Sequence, residues 1–575
     1  MPVQNAEIAA ALNEIADLLD IEGANPFRIR AYRNAARTLS EVGRSVAAMA
    51  ARPADLDALP GIGPDLARKI SEIASSGSCT LLERLRKALP PGITELLKVP
   101  ALGPKRVRLL YHDLGVQTLE QLHRAAQEGR VQAIAGFGAK TQQAILEATA
   151  ARLHEERRMP LAVAAQTAHS LLEALSAVPG VARAVAAGSL RRRRETVGDL
   201  DLLVSMSGDS PVMDRLVQAE EVRQVLLHGG TRSSVVLKSG LQVDLRAVPA
   251  ESFGAAWVYF TGSKAHNIAL RRLAQEHGLK INEYGVFRGR ERIAGDTEES
   301  LYQAVGLRYI EPELREDRGE IEASRQGRLP VLVTLGDLRG DLHLHTRESD
   351  GQGSLASMAE AAQAQGLRYV AVTDHSRGLA FARGLDPVRL ARQIDRIDRF
   401  NEKTQGFTVL KGIEVDILKD GTLDLPDSIL QRLDLVVGAV HSHLELPRAR
   451  QTERVLRAMD SRYFTLLAHP TGRLIGERAA CDIDLLRVLR KARERGCFVE
   501  LNAQPARLDL TDTACQMARS EGVLVSINSD AHGVLEFNHL PCGIDQARRG
   551  WLEKADVLNT RDLQELRPLL ARTMQ

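Results

Sequence analysis

The chain runs to 575 residues, beyond what one hydrophobic core serves, and its 44% hydrophobic and 26% charged residues are the balance of an ordinary globular protein of several domains. A net charge of only +2 argues against a surface that is basic all round, so any nucleic-acid contact must come from local patches. The cysteines (Cys79, Cys481, Cys497, Cys515, Cys542) are odd in number with no C-x-x-C pair, and no run reaches the roughly 18 apolar residues of a membrane span; a soluble cytoplasmic chain with no membrane association is expected.

The first 150 or so residues read as helices joined by short turns, with apolar residues at helical spacing in Ile8, Leu12, Ile15, Leu18 and Leu19. One pattern recurs: LPGIGPDLARKI from Leu59, VPALGPKRVRLL from Val99 and IAGFGAKTQQAI from Ile134. Each is a helix end, a glycine-containing hairpin, then a helix carrying Lys or Arg. Glycines permit the tight turn and a close phosphate, while the next helix start offers unpaired N–H groups. A single copy reads first as a glycine-capped turn between packed helices. Three copies, each followed by basic residues, read as grips on a sugar-phosphate backbone that carry no sequence preference. They resemble the helix-hairpin-helix elements of non-specific DNA-binding proteins, which implies contacts at Gly61, Gly63, Lys69, Gly103, Lys105, Gly136, Gly138 and Lys140. Ala101 stands where the second copy would have its first glycine.

Strands and helices alternate from about residue 155 to about 310. In GSLRRRRETVGDLDLLV (Gly188 to Val204), Asp199 and Asp201 alternate with Leu200 and Leu202, so on a strand both carboxylates share one face. LQVDLRAV (Leu241 to Val248) adds Asp244 on a second strand. Three such acids on adjacent strands can hold two Mg²⁺ ions roughly 3.5–4 Å apart. Ahead of them, Gly188 and Ser189 make a small turn, and Arg191 to Arg194 supply cationic charge suited to a triphosphate. A bare D-x-D is ordinarily a solvated strand edge; here G-S, R-R, G-D-x-D and a third Asp come together in order.

A charged, strand-poor stretch follows, then a regular strand–helix alternation to the end of the chain. Seven apolar runs end in polar residues. They deliver His343 and His345, then Asp374 and His375, Glu414, His441 and His443, His469, Glu500 and Asn502, and finally Asp530 and His532. In a parallel barrel the C-terminal strand ends converge on one face, where active sites of such barrels lie. One histidine after a strand is ordinarily structural, but this many alongside Glu414 and Asp530 reads as a metal centre. Mixed imidazole and carboxylate donors suit Zn²⁺ or Mn²⁺. Arg377, Arg473 and Arg507, each near a donor run, are placed to hold phosphate charge.

The first half is similar to the family X DNA polymerases of the nucleotidyltransferase superfamily. The likeness continues into YFTGSKAHNIALR (Tyr259 to Arg271) and GLKINEYGVF (Gly278 to Phe287), which look like that family's thumb. It implies catalytic, metal-holding Asp199, Asp201 and Asp244. It also implies a nucleotide site at Gly188, Ser189, Arg192, Gly198, Tyr259, Phe260, Gly262 and Asn267, with Mg²⁺ or Mn²⁺ as a two-ion cofactor. Lys264 stands where DNA polymerase beta has an acid. Lys69 stands where its small domain has a Schiff-base lysine, so an abasic-site lyase nucleophile or a plain phosphate contact is implied there.

The second half resembles the PHP (polymerase and histidinol phosphatase) domain, a distorted barrel with up to three Mn²⁺ or Zn²⁺ ions. Carried over, one ion takes His343, His345, Glu414 and Asp530; a second shares Glu414 with His441 and His469; a third takes Asp350, His375 and His532. His443, Glu500 and Asn502 are then supporting or substrate-contacting residues.

The expected fold is multidomain: an all-α helix-hairpin-helix region, an α+β palm and thumb, and a C-terminal distorted (β/α)7 PHP barrel. The expected segments are 1–90 (helical DNA-binding), 91–152 (fingers-like), 153–250 (palm), 251–312 (thumb), 313–336 (linker) and 337–575 (PHP). Together the likenesses imply a monomeric gap-filling repair polymerase acting on gapped or primer-template DNA and dNTPs, coupled to a 3′–5′ exonuclease with abasic-site cleavage as a further option. Two alternatives stay open. One is a PHP nuclease whose first half only grips DNA; the other is a PHP small-molecule phosphatase fused to a DNA-binding scaffold.

Overall fold

The computed structural model describes residues 5–41, 61–90, 92–97, 102–156, 158–206, 210–378 and 382–575, with Val46, Met49, Leu56, Leu59, Val99 and Gly208. Ala101 and the first four residues of the N-terminal helix reading lie outside them. Two compact units divide the chain, residues 1–156 and 157–575.

The first unit is helical. Helix Asn5–Glu22 buries Ile8, Leu12, Ile15, Leu18 and Leu19, the stripe its spacing predicts, in an apolar core that continues to Ile145. The repeated hairpins share one turn geometry: Ile62 N donates to Leu59 O (3.1 Å), Leu102 N to Val99 O (3.0 Å) and Phe137 N to Ile134 O (3.0 Å). The residue at the turn's end is buried each time, which roots the hairpin in the core. Gly61 and Gly136 sit at φ +77° and +90°, the left-handed region that a side chain resists. Helices Pro64–Ser76 and Pro104–Leu114 begin after Gly63 and Gly103 with proline in the first turn and no side-chain cap, leaving N–H groups to an outside acceptor.

The second unit opens with β1 (Met159–Pro160), β2 (Val181–Ala186), β3 (Thr196–Val197), β4 (Asp199–Met206), β5 (Val222–His228), β6 (Arg232–Leu237) and β7 (Gln242–Val248). Five of these form a sheet in the order β2-β4-β7-β6-β5, in which only β4 and β7 run parallel. Helices Phe253–Thr261 and Lys264–Glu276, the small sheet β8 (Lys280–Asn282), β9 (Gly285–Arg288) and β10 (Glu291–Ala294), and helix Glu298–Ala304 follow as the thumb.

The barrel strands are β11 (Gly340–Leu344), β12 (Tyr369–Val372), β13 (Thr408–Lys411), β14 (Glu414–Asp416), β15 (Val437–Ala439), β16 (Leu466–Leu467), β17 (Phe498–Asn502) and β18 (Val525–Asn528), all parallel to their neighbours. The third run breaks at Gly412–Ile413, so the ring falls into sheets β11-β12-β13 and β14-β15-β16-β17-β18. Isolated parallel bridges His375–Glu414 and Leu344–Ala531 join them at both seams. That broken ring is the distorted sevenfold barrel.

Segment 313–336 differs from a linker. It carries turns Pro312–Leu314 and Glu320–Arg325 and buries Arg315 and Glu320 completely. Four of its charges are paired: Arg315 with Glu298 (2.7 Å), Glu320 with His266 (2.6 Å), Glu313 with Arg548 (2.7 Å) and Arg318 with Asp512 (2.9 Å). Sequence charge alone does not separate a tether from an ion-paired wedge. Among the described residues no helix is long and apolar enough to cross a membrane.

Candidate active sites

The palm centre forms where parallel β4 and β7 lie in register, Asp201 opposite Asp244 and Asp199 opposite Gln242. Alternation buries Leu200 and Leu202 and turns Asp199 and Asp201 to the other face. Asp201 is pushed up to about 7, first by burial and then by the charges of Asp199 and Asp244. Asp244 is engaged by Ser234 Oγ and by Gln242 Nε2 (2.7 Å), with Arg232 at 3.5 Å. A cleft of about 420 Å³ beside the acids is lined by Gly188, Ser189, Arg192, Asp199, Asp201, Phe260 and Gly262, and also by Arg158, Arg194, Ser263 and Lys264.

The sequence region 188–192 is a single helical turn, Gly188–Arg191. Gly188 has φ +58°, and a Cβ there would lie 2.9 Å from Asp201 Cγ, so only glycine lets the turn sit on the acid. Ser189 Oγ is buried with no protein partner. Arg192 donates Nη1 to Thr261 O (2.7 Å) and Nε to Glu316 (3.0 Å). Arg191 is committed elsewhere: it grips Glu298 through both terminal nitrogens (2.7 and 2.6 Å), its guanidinium 3.4 Å from the Trp257 ring centre. It is therefore not the free triphosphate cation the arginine run suggested.

Phe260 and Gly262 face the cleft; Tyr259 and Asn267 do not line it. Tyr259 packs edge-on against Phe260, and Asn267 Nδ2 donates to Tyr259 O (2.7 Å) and Gly262 O (3.2 Å), bracing the turn that presents Phe260. Gly198 lies against Arg158, whose guanidinium holds Thr196. Sequence reasoning overlooked Arg158, which precedes the motif and carries no pattern of its own.

At the barrel mouth the histidines converge. Donor atoms of His345, Asp350, His375 and His532 lie within 4.8 Å of one another, as do those of His343, His345 and Asp530, and those of His375, Glu414 and His441. His469 Nε2 is 3.0 Å from Glu414 Oε1. These groups cut across the carried-over sets, with His345 in two of them and His375 beside Glu414 (2.6 Å). His343 is driven well above its ordinary value: burial opposes this, but Glu500, Asp530 and Glu414 outweigh it. His345 is pushed down to about 3 by burial and by His532 and His375.

The donor set fits divalent cations. His343 Nε2 and His345 Nε2 approach to 3.2 Å, His375 Nδ1 crowds Glu414 Oε2 at 2.6 Å, and His345 Nδ1 is buried without a hydrogen-bond partner. Lone pairs aimed at one another in a dry site repel unless a cation lies between them. The palm acids are less tightly drawn together, and the repulsion that raises Asp201 is what a cation there would relieve.

Supporting carboxylates surround the histidines. Glu500 Oε1 meets His343 Nδ1 (2.7 Å), Asn502 Nδ2 donates to Asp530 (3.0 Å), and Asp416 Oδ1 meets His441 Nδ1 (2.8 Å). Asp341 accepts from Ser529 N (3.1 Å) and Ser529 Oγ, and burial pushes it up to about 7. Asp374 ties Thr346, Ser349 and Gln393 together. The sequence held a signal for Asp416 and Asp341, since each lies two residues from a donor on the same strand face. His443 is exposed and outside the cluster. Arg507 Nε is 3.8 Å from Asp530. Arg473 instead pairs with Glu195 (3.2 and 2.7 Å) and is not a free phosphate cation, whereas Arg377 donates only Nε, to Asp424 O (3.1 Å).

In the helical unit, Lys69 is nearly buried, its ammonium held on Asp65 and 5.7 Å from the Tyr32 ring centre. Lys105 and Lys140 lie in the first turns of helices Pro104–Leu114 and Ala139–Glu156.

A nucleotidyltransferase palm with its thumb, behind paired helical hairpins and ahead of a histidine-rich barrel, defines a multidomain class of chain. Comparison with known families matches residues 3–79 to a helix-hairpin-helix domain, 93–152 to a SAM-like helix-hairpin-helix tandem, 256–316 to the DNA polymerase beta thumb and 341–528 to the PHP domain. The chain is 38% identical to the DNA polymerase/3′-5′ exonuclease PolX of Bacillus subtilis (strain 168), over 98% of this chain and 99% of that protein. It is 26% identical to DNA polymerase lambda of Rattus norvegicus over 54% of this chain and 56% of that one. A probable phosphatase of Thermoanaerobacter sp. (strain X514) is 27% identical over 38% of this chain and 89% of its own length. The chain belongs to the family X DNA polymerases that carry a C-terminal PHP domain.

Proposed function

We propose that this chain is a DNA polymerase joined to a 3′–5′ exonuclease, filling short gaps during repair and trimming the same primer ends. The observation that carries the reading is the register of Asp201 against Asp244 beside the Gly188–Ser189 turn, with a separate buried histidine–carboxylate cluster downstream. Asp199, Asp201 and Asp244 are assigned as the palm's donors for two Mg²⁺ or Mn²⁺ ions. The nucleotide site is assigned to Gly188, Ser189, Arg192, Gly198, Phe260 and Gly262, with Tyr259 and Asn267 shaping the turn. Bound there, the ions supply activation of a primer hydroxyl and charge stabilisation at the phosphates.

The nuclease centre is assigned to His343, His345, Asp350, His375, Glu414, His441, His469, Asp530 and His532, with Mn²⁺ or Zn²⁺ supplying a water nucleophile and a clamp on phosphoryl oxygens. Burial of His343, His345, Glu414 and His469 strengthens each charge interaction there, while Asp350 and His532 stay partly exposed on the open side. DNA is held by the hairpins at Gly61, Gly63, Gly103, Lys105, Gly136, Gly138 and Lys140, with Lys69 as a phosphate contact or lyase nucleophile. A cytoplasmic monomer with the segment boundaries given above, 313–336 being an ion-paired connection and not a linker, completes the reading.

The likeness of the barrel to a probable phosphatase favours one alternative, a monoesterase. Both readings meet one test: a single-nucleotide-gap DNA with a labelled 3′ primer end, in Mn²⁺, with and without dNTPs. Asp199→Ala/Asp201→Ala is expected to lose extension alone, and His343→Ala/His345→Ala shortening alone. A wild-type chain that never extends, or that releases phosphate from a small monoester yet spares DNA, overturns the proposal.

A further inference from the structure

The Gly188–Val197 loop, which lines the palm cleft, is held from outside by the barrel. Arg549, on helix Leu540–Arg549 and almost fully buried, donates Nη1 to the carbonyl of Arg192 (2.7 Å) and to Glu316 Oε1 (3.1 Å). That same Glu316 oxygen accepts from Arg192 Nε (3.0 Å). Asp512, at the start of helix Asp512–Glu521, balances Arg549 from its far side (2.6 Å). Three residues further along the loop, Glu195 is clasped by both terminal nitrogens of Arg473 (3.2 and 2.7 Å). Arg473 follows His469 in the same turn and is also anchored on Leu508 O.

We propose that the PHP barrel is a working part of the nucleotide site, and that Arg549 is a positioning residue for Arg192. The inference rests on the polymerase reading above. A free arginine side chain samples many rotamers and loses that freedom on binding. Here the Arg192 backbone is fixed by Arg549 and its Nε by the Glu316 oxygen that Arg549 shares. Nη1 is held on Thr261 O. One terminal nitrogen is left without a protein hydrogen bond, at the wall of the cleft. The guanidinium is thus set before a triphosphate arrives. Barrel residues that contact neither primer nor nucleotide therefore act on nucleotide affinity.

The test uses the full chain, with Arg549→Met to remove the donors at similar volume and Glu195→Gln to release the partly exposed Arg473 clasp. Single-nucleotide gap filling gives kcat and KM for the dNTP, primer shortening without dNTPs gives nuclease rate, and a melting curve reports folding. Expected is a rise in dNTP KM of fivefold or more in both variants, with kcat and shortening within about twofold of wild type. Arg549→Lys, which restores one donor, should recover part of the affinity. If the melting curve and shortening are preserved and KM is unmoved, the inference falls while the polymerase reading stands. If Arg549→Met misfolds, Glu195→Gln decides alone by the same criterion. If wild type neither extends primers nor binds dNTP, both fall together.

Discussion

Glu500 Oε1 stands 2.7 Å from His343 Nδ1, while His343 Nε2 points at His345 Nε2 only 3.2 Å away. The first contact keeps a hydrogen on Nδ1, so that Nε2, once a bound cation displaces its proton, would offer its lone pair at the centre of the cluster. Glu500 also accepts from His469 N (2.7 Å), binding two donor strands through one carboxylate. Glu500→Gln is predicted to weaken metal binding by about 10–100-fold. Competition against a chelator, followed on the intact chain, measures this; an unchanged affinity would show that Glu500 is merely a packed acid.

Asp201 carries a pH signature in the metal-free protein. Burial, then the charges of Asp199 and Asp244, push its carboxyl up to about 7, so the folded state keeps a proton that the unfolded state has already lost. That contribution is whole below the unfolded value and is lost as pH rises through about 7. Asp201→Asn is therefore predicted to raise the melting temperature of the metal-free chain by about 2–5 °C at pH 8 and to leave it nearly unchanged at pH 4. Equal shifts at both pH values would refute the charge-repulsion account.

Gly188→Ala should be severe for one activity and silent for the other. The added methyl meets the Asp201 carboxylate, and the residue keeps a left-handed backbone that alanine resists. Extension is expected to fall at least 100-fold, about 3 kcal/mol in the barrier, with primer shortening intact. Retained extension would mean that the turn can shift without cost to the acids.

The helical hairpins should be read through salt. Lys105→Ala and Lys140→Ala are each predicted to lower affinity for gapped DNA by roughly 3–10-fold and to reduce the slope of log affinity against log salt by about 1, regardless of sequence. A slope that stays put would place both lysines off the phosphate path.

Much of this was legible because the informative residues sit on strands. Alternation in DLDLLV announces which face carries Asp199 and Asp201, and DLHLHT does the same for His343 and His345. The helical hairpins were legible from repetition of one turn. What stayed hidden was pairing at a distance. Nothing local says that Arg191 belongs to Glu298, that Arg473 belongs to Glu195, or that Arg315 and Glu320 are buried, since each partner lies elsewhere along the chain. An arginine run looks the same whether it awaits a phosphate or already holds a carboxylate.

Arg315 has no exposed surface and shares Glu298 with Arg191, while Glu313 and Arg318 on either side hold Arg548 and Asp512 of the barrel. Pulling palm and barrel apart would strand several of these charges without counter-ions, a heavy penalty for buried groups. A primer end that leaves one catalytic centre for the other must then do the travelling itself, peeling from its template across a span the protein holds constant. The chain thereby acts as a gauge of one fixed length, not as two enzymes on a tether.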